Sequence, residues 1–248
     1  MPPLAWAATV TLLASLGGCA NAPTTLVILQ NQKVIPDTTT GLCTPTTDID
    51  LPLLSGTYDV DLDQDYPYYV YPLVQSRLPS LMTAGGIERN SVVMSALRIE
   101  IQAPAGLDLT WPAGCPATFD APASLVVDPQ SSRALTARGF LPCHAQYLRQ
   151  LIKQGSIPAN PSQPVYFTLS MRALASRDGA ELDSEAFPFQ VGVCAGCLQA
   201  YFPDTPMCLD TPKPNPKPGN PCNPAQDGPQ VLCCVDAKGA LLCPAPDA

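Results

Sequence analysis

Four runs of this chain alternate apolar and polar side chains with a period of two, and that period belongs to a strand with one face buried. In "ALRIEIQ", Leu97, Ile99 and Ile101 fall on one face, with Arg98, Glu100 and Gln102 on the other. "LDLTW" repeats the pattern with Leu107, Leu109 and Trp111. "VYFTLSMRA" sets Val165, Phe167, Leu169, Met171 and Ala173 against Tyr166, Thr168, Ser170 and Arg172. "FPFQVGVC" points Phe187, Phe189, Val191 and Val193 inward. Between the last two runs stands Asp178-Gly179, a dipeptide suited to the positive φ angles of a tight hairpin turn. "TLVILQNQKVI" and "SLVVD" read as further strands, more deeply buried.

One helix interrupts the strands. In "HAQYLRQLIKQG", Tyr147, Leu148, Leu151 and Ile152 share a face, Arg149 and Lys153 lie toward the C-terminal end, and Gly155 is placed to close the helix. Thirty prolines favour turns and strand edges over long helices. The expected fold is mainly β: an antiparallel β-sandwich with one short helix in a crossover, followed by a small disulfide-rich C-terminal unit.

Two composition breaks divide the chain. The first is "TLLASLGGCA". No charge occurs from Leu4 to Leu16, and Gly17 and Gly18 then precede Cys19. A short apolar run ending in small residues has the form of an export signal, and it is too short for a membrane span of roughly 20 apolar residues. The basic residues that usually open such a signal are missing, since the first is Lys33, and they are expected upstream of Met1. The second break follows Pro203, where "TPKPNPKPGNP" has proline at every second position and favours an extended polyproline II spacer. The expected segments are therefore 1–18 signal peptide, 19–202 β-sandwich, 203–221 proline-rich linker and 222–248 disulfide-rich tail.

The cysteines agree with export. Of eleven, setting Cys19 aside leaves ten, an even set that reads as a disulfide framework in an oxidising compartment: Cys43, Cys115, Cys143, Cys194, Cys197, Cys208, Cys222, Cys233, Cys234 and Cys243. Cys115 is expected to pair with Cys143. In the tail, Cys222 is expected to pair with Cys233 or Cys234, and the other of those two with Cys243. The linker would then carry an independent knot about 30 Å from the sandwich, at about 3.1 Å per residue.

Motifs that could carry chemistry are few. "CAGC" at Cys194 to Cys197 is similar to the redox motif of thioredoxin-like proteins, but the helix N-terminus and βαβ unit of such a site are missing, so a structural bridge is expected. A lone CxxC with no histidine partner is also a poor zinc site, and no metal or cofactor is expected. "DVDLDQD" places Asp59, Asp61, Asp63 and Asp65 at alternate positions, while a calcium loop starting at Asp59 would need Gly and Glu where Gln64 and Val70 stand. The acids are expected on a solvated strand face that discourages edge pairing, with Val60 and Leu62 inward. "YPYYVYP" gathers Tyr66, Tyr68, Tyr69 and Tyr71 and reads as a tyrosine-rich strand. His144, the single histidine, has no nucleophile or metal motif around it. A net charge of −8 argues against a nucleic-acid partner, which needs a concentrated basic face.

At Leu16-Gly17-Gly18-Cys19 the chain resembles the lipobox of bacterial lipoproteins, which implies cleavage before Cys19, acylation of that cysteine and, with Ala20 next to it, sorting to the outer membrane. Through "VILQNQ", "GLC", "GTYDVDL", "YPLVQSRL", "ERNSVVMSALRIEI" and "FPFQVGVCAGCL" it is similar to cysteine-rich lipoproteins of large-genome soil bacteria. That resemblance implies a surface β-sandwich and no activity. The expectation is a non-catalytic envelope lipoprotein held to its membrane by a lipid anchor, with an envelope protein or glycan as partner. The alternative is an envelope glycan hydrolase using a carboxylate pair among Asp59 to Asp65.

Overall fold

The computed structural model describes residues 25–37, 39–62, 67–82, 85–86, 88–159, 163–200, 220, 222–223, 225–228, 231–232, 234–235 and 241–242. In chain order the strands are β1 (Leu26–Asn31), β2 (Ser55–Asp59), β3 (Tyr68–Val70), β4 (Pro72–Ser76), β5 (Val92–Gln102), β6 (Thr118–Val127), β7 (Ser132–Ala134) and β8 (Ala137–Phe140). Helix α1 (Pro142–Lys153) follows, then β9 (Val165–Arg177), β10 (Ala180–Asp183), β11 (Phe187–Cys194) and β12 (Gln199–Ala200). Near the C-terminus come β13 (Val231–Leu232), β14 (Cys234–Val235) and β15 (Leu241–Leu242).

The alternating runs build the larger sheet, in the order β2-β11-β9-β5-β6 with β10 folded back on β9. Its inward rows are in register: Leu97, Ile99 and Ile101 of β5 stand opposite Ala173, Met171 and Leu169 of β9, and Phe189 and Val191 of β11 stand opposite Leu169 and Phe167. All of these side chains are buried. Opposed apolar pairs on one face are the unit that stabilises a sheet. At its start, β5 buries Val92 and Met94, whose parity is opposite to that of Leu97, Ile99 and Ile101. A bulge between Met94 and Ala96 absorbs the extra residue and returns the strand to phase.

Two smaller sheets, β1-β4-β7 and β3-β8, supply the other side of the core through Leu26, Ile28, Val74, Tyr68, Val70, Ala137 and Phe140. The protein is thus mainly β, with one helix, several sheets and disulfide-bonded cysteines. The predicted antiparallel order holds for these sheets with one exception: β2 runs parallel to β11, with Ser55 opposite Gln190 and Asp59 opposite Cys194. Alternation records which face is buried and carries no information on strand direction.

The Asp178-Gly179 turn joins β9 to β10 with φ of 49° and 81°. Helix α1 starts at Pro142, where the missing N–H costs nothing, and buries His144, Ala145 and Leu148. It ends in a Schellman motif. Gly155, at φ 72°, donates its N–H to the Ile152 carbonyl, and Ser156 donates to Leu151. None of the described helices is long and apolar enough to cross a membrane.

Three expectations are corrected. "LDLTW" is not a strand. Leu107, Leu109 and Trp111 lie in the connection between β5 and β6 and lean their partly buried side chains on the core without a paired neighbour. Asp59 is not on a solvated face: it ends β2 fully buried, and while Val60 and Leu62 turn inward as expected, Asp61 is ion-paired rather than solvated. Asp63, Asp65 and Tyr66 lie outside the described residues. Finally, Cys222 bonds to Cys43 rather than to Cys233 or Cys234. With Asn223, Ala225 and Gln226 buried behind it, this part of the tail is fastened to the main body, not held away from it. A spacing rule for neighbouring cysteines could not reveal a partner 179 positions distant.

Candidate functional site

Where the two layers meet at β6 and β8, their edges leave a groove of about 500 Å³. β6 ends the larger sheet and β8 is hydrogen-bonded to β3 alone, so each strand has one edge without a described hydrogen-bonded partner. Phe119, Ala121, Pro122, Ala137 and Leu141 give the groove an apolar lining, with Tyr69 and Thr136 beside them. Arg138 and Asp120 place opposite charges in its wall. Asp120 is already engaged, accepting two hydrogen bonds from the Arg98 guanidinium at 2.8 and 2.9 Å, which holds its carboxyl below the usual range. Arg138 is exposed and has no ion-pair partner among the described residues. An apolar trough with one unspent cation and an open strand edge can take an extended chain or a ring stacked on an aromatic face.

Behind Phe119 sits His144, fully buried. Its ring centroid lies 4.7 Å from Trp111, 5.6 Å from Phe119 and 6.1 Å from Phe140. The Leu141 N–H donates to Nδ1 at 3.0 Å, and Nε2 lies 3.0 Å from the Pro116 carbonyl oxygen. An N–H can only donate and a carbonyl can only accept, so the proton is on Nε2. Burial pushes the imidazole down to about 4, against a smaller opposite effect of the Pro116 carbonyl. The histidine therefore stays neutral and caps the start of α1. Packed against Phe119, it backs the groove's inner wall.

A second cluster surrounds the end of β2. The Asp59 carboxylate accepts the N–H groups of Gly196 at 2.8 Å, Leu198 at 2.9 Å and Asp61 at 3.0 Å. Burial raises its pKa against these three hydrogen bonds. Asp61 pairs with Arg149 at 2.6 Å and with Lys153 at 3.7 Å. Cys194 and Cys197 are joined in a disulfide beside Asp59. With both sulfurs bonded to each other, this group offers a metal no thiolate, and the same holds for Cys115 and Cys143 beside His144.

A third cluster, which the sequence reading missed, is the seat of the tail. Asp227 accepts hydrogen bonds from the Thr57 N–H at 2.7 Å, the Tyr68 hydroxyl at 3.0 Å and the Gln226 side-chain amide at 3.0 Å. Gln226 also clamps Tyr69, accepting from its N–H at 2.6 Å and donating to its carbonyl at 2.9 Å. Burial raises the Asp227 carboxyl to about 6, outweighing these contacts. The Tyr68 hydroxyl is pushed well up by its own burial and by the neighbouring carboxylate. The only hint in the sequence was "QDG", a turn dipeptide like many others; Asp227 does have a positive φ of 51°.

The three described bridges differ in what they do for the fold. By loop-closure entropy, Cys43–Cys222, Cys115–Cys143 and Cys194–Cys197, with separations of 179, 28 and 3 residues, are worth about 5, 4 and 2 kcal/mol. The pairing expected for Cys115 and Cys143 is present. Cys19, Cys208, Cys233 and Cys243, and the side chain of Cys234 in β14, lie outside the described residues.

No protein-family model and no curated protein matches the chain.

Proposed function

We propose that this protein is a non-catalytic, lipid-anchored envelope lipoprotein whose β-sandwich binds or scaffolds an envelope partner. The groove between β6 and β8 carries the reading, because it joins an apolar lining, an open strand edge and the exposed Arg138 in one place. Three disulfides suit an oxidising compartment outside the cytoplasm. Attachment is through acyl chains on Cys19, after removal of residues 1–18. From Cys19 to the first residue of β1 the chain can reach about 25 Å at most, which keeps the sandwich close to the bilayer surface. The acids suggested for hydrolysis favour binding instead. Asp59 is buried under three N–H donors and Asp61 is held by Arg149 and Lys153.

Two measurements test this. The precursor, given a basic n-region, is expressed in a bacterium and its mature N-terminus read by mass spectrometry; a diacylated Cys19 is expected, and an unmodified or differently cleaved N-terminus overturns the anchor. Wild type is then compared with Arg138→Glu and Thr136→Trp in pull-downs from solubilised envelope and from purified cell-wall glycan. Both variants are expected to lose the partner while keeping the wild-type circular dichroism. Retention by both overturns the groove.

A further inference from the structure

The turn after β11 holds chemistry that the binding groove leaves unused. Cys194 is fully buried at the strand's end, while Cys197 is half-buried, the more accessible residue of the two. Both sulfurs and an Asp59 carboxylate oxygen lie within 4.8 Å of one another. Among the described residues, Asp59 has backbone N–H donors as partners and no Lys or Arg. Asp61, two residues on, is itself paired with Arg149 and Lys153.

We propose that Cys194–Cys197 is an exchangeable disulfide that reacts with an external dithiol, with Cys197 as the sulfur attacked and Asp59 as the proton donor to Cys194. The bridge adds the least to the fold of the three described, and other contacts hold its turn in place. The β2–β11 pairing continues to Asp59 opposite Cys194, the Val60 N–H donates to the Cys194 carbonyl, and Asp59 gathers the N–H groups of Gly196 and Leu198. Opening the bond therefore leaves two thiols still side by side.

The step balances with the dithiol as reductant. Its thiolate attacks Cys197 Sγ, the Cys194–Cys197 bond breaks, and the electron pair leaves on Cys194. A thiolate is disfavoured in that buried position, so the leaving sulfur takes a proton from Asp59. The new thiol lies 3.5 Å from the Tyr58 carbonyl, an acceptor for its S–H, and the Asp59 carboxylate keeps its three N–H donors. The second thiol of the dithiol, deprotonated by solvent, then attacks the dithiol's own sulfur in the mixed disulfide; Cys197 leaves as a thiolate and takes a proton from solvent, and Asp59 is reprotonated from solvent in the same way. Net, the dithiol becomes a disulfide and Cys194 and Cys197 become thiols, with two electrons and two protons transferred. Burial raises the Asp59 pKa, which extends the range over which it holds a proton to give.

The test uses the oxidised full chain with dithiothreitol as the dithiol, under native conditions, followed by acid quench, alkylation and peptide mapping. Cys194–Cys197 is expected to open about ten-fold faster than Cys115–Cys143 and Cys43–Cys222, with circular dichroism unchanged. Cys194→Ser is expected to form a mixed disulfide with oxidised glutathione about ten-fold faster than Cys197→Ser, since each variant leaves one thiol. Asp59→Asn is expected to slow opening about ten-fold at pH 6 and to close most of that gap by pH 9, where a merely structural carboxylate would slow it equally at both. Opening of all three bridges together, or equal reactivity of the two cysteine variants, overturns the proposal. So does an Asp59→Asn rate profile parallel to wild type. If Asp59→Asn does not fold, the wild-type opening rate divided by the thiolate fraction of dithiothreitol decides the Asp59 step: it is expected to fall as pH rises, and a flat profile from pH 5 to 9 overturns the proton donor.

Discussion

Acid should titrate the single histidine late and at the expense of the fold. Nδ1 of His144 accepts the Leu141 N–H, so a proton added there meets another proton instead of a lone pair. The ring also lies among Trp111, Phe119 and Phe140, where a cation is poorly solvated. A histidine at 6.5 in the unfolded chain and at about 4 in the native one gives stability that is complete above pH 6.5 and lost as the pH falls through about 4. At 1.36 kcal/mol per unit, the gap amounts to about 3 kcal/mol, a large share of the 5–15 typical of a domain. Because the chain has one histidine, its imidazole signals in a proton NMR titration need no assignment. They should stay at their neutral positions to about pH 5. Urea unfolding of Asp227→Asn at pH 7, 5.5 and 4 should then show the matching loss, free of the opposing carboxylate. An imidazole titrating near 6.5 in the folded protein, or flat stability over that range, would refute the buried-cap argument.

Asp227 runs the other way. Its carboxyl is raised to about 6 against 3.8 in the unfolded chain, so its contribution is full below pH 3.8 and lost as pH rises through 6. Asp227→Asn should therefore gain on wild type by about 3 kcal/mol between pH 4 and pH 7 in urea unfolding. Replacing Cys43 and Cys222 together with serine should cost about 5 kcal/mol in the same assay, with the loss in the unfolding midpoint and little change in the β-sheet circular dichroism. Gly56→Ala should cost about 1–3 kcal/mol, because a Cβ at Gly56 collides with the Tyr68 hydroxyl and forces it off Asp227. A solved structure of that variant with Tyr68 unmoved would show the collision to be absorbed elsewhere.

The parts of this fold that were legible in the sequence are those written in a single strand or helix. Leu97, Ile99 and Ile101 declare their buried face by period alone, and so do the inward residues of β9 and β11. Gly155 and Asp178-Gly179 declare their backbone angles by residue type. What was not legible depends on partners. Leu107, Leu109 and Trp111 alternate like a strand but have no neighbour to pair with. Asp59 is one of four acids in an alternating run, and nothing local marks it as the one that β11 and its turn cover. Cys43 meets Cys222 through the path of the whole chain. The candidate sites are of this second kind: the groove needs β6 and β8 side by side, and the Asp59 cluster needs β2 laid parallel to β11.

The bridge between Cys43 and Cys222 also sets how the protein answers a mechanical pull. The covalent path between the N-terminal and C-terminal ends runs through that bond and bypasses the strands between its two cysteines. Up to about 600 Å of chain, 179 positions at 3.3–3.6 Å each, stays slack however hard the ends are drawn. Of the two main layers only β1 precedes Cys43, so on the N-terminal side it is β1 that peels, from β4, and on the C-terminal side it is the seat of residues 225–227 on β2 that gives way. Reducing that one bond would change a short, stiff tether into a long extensible one.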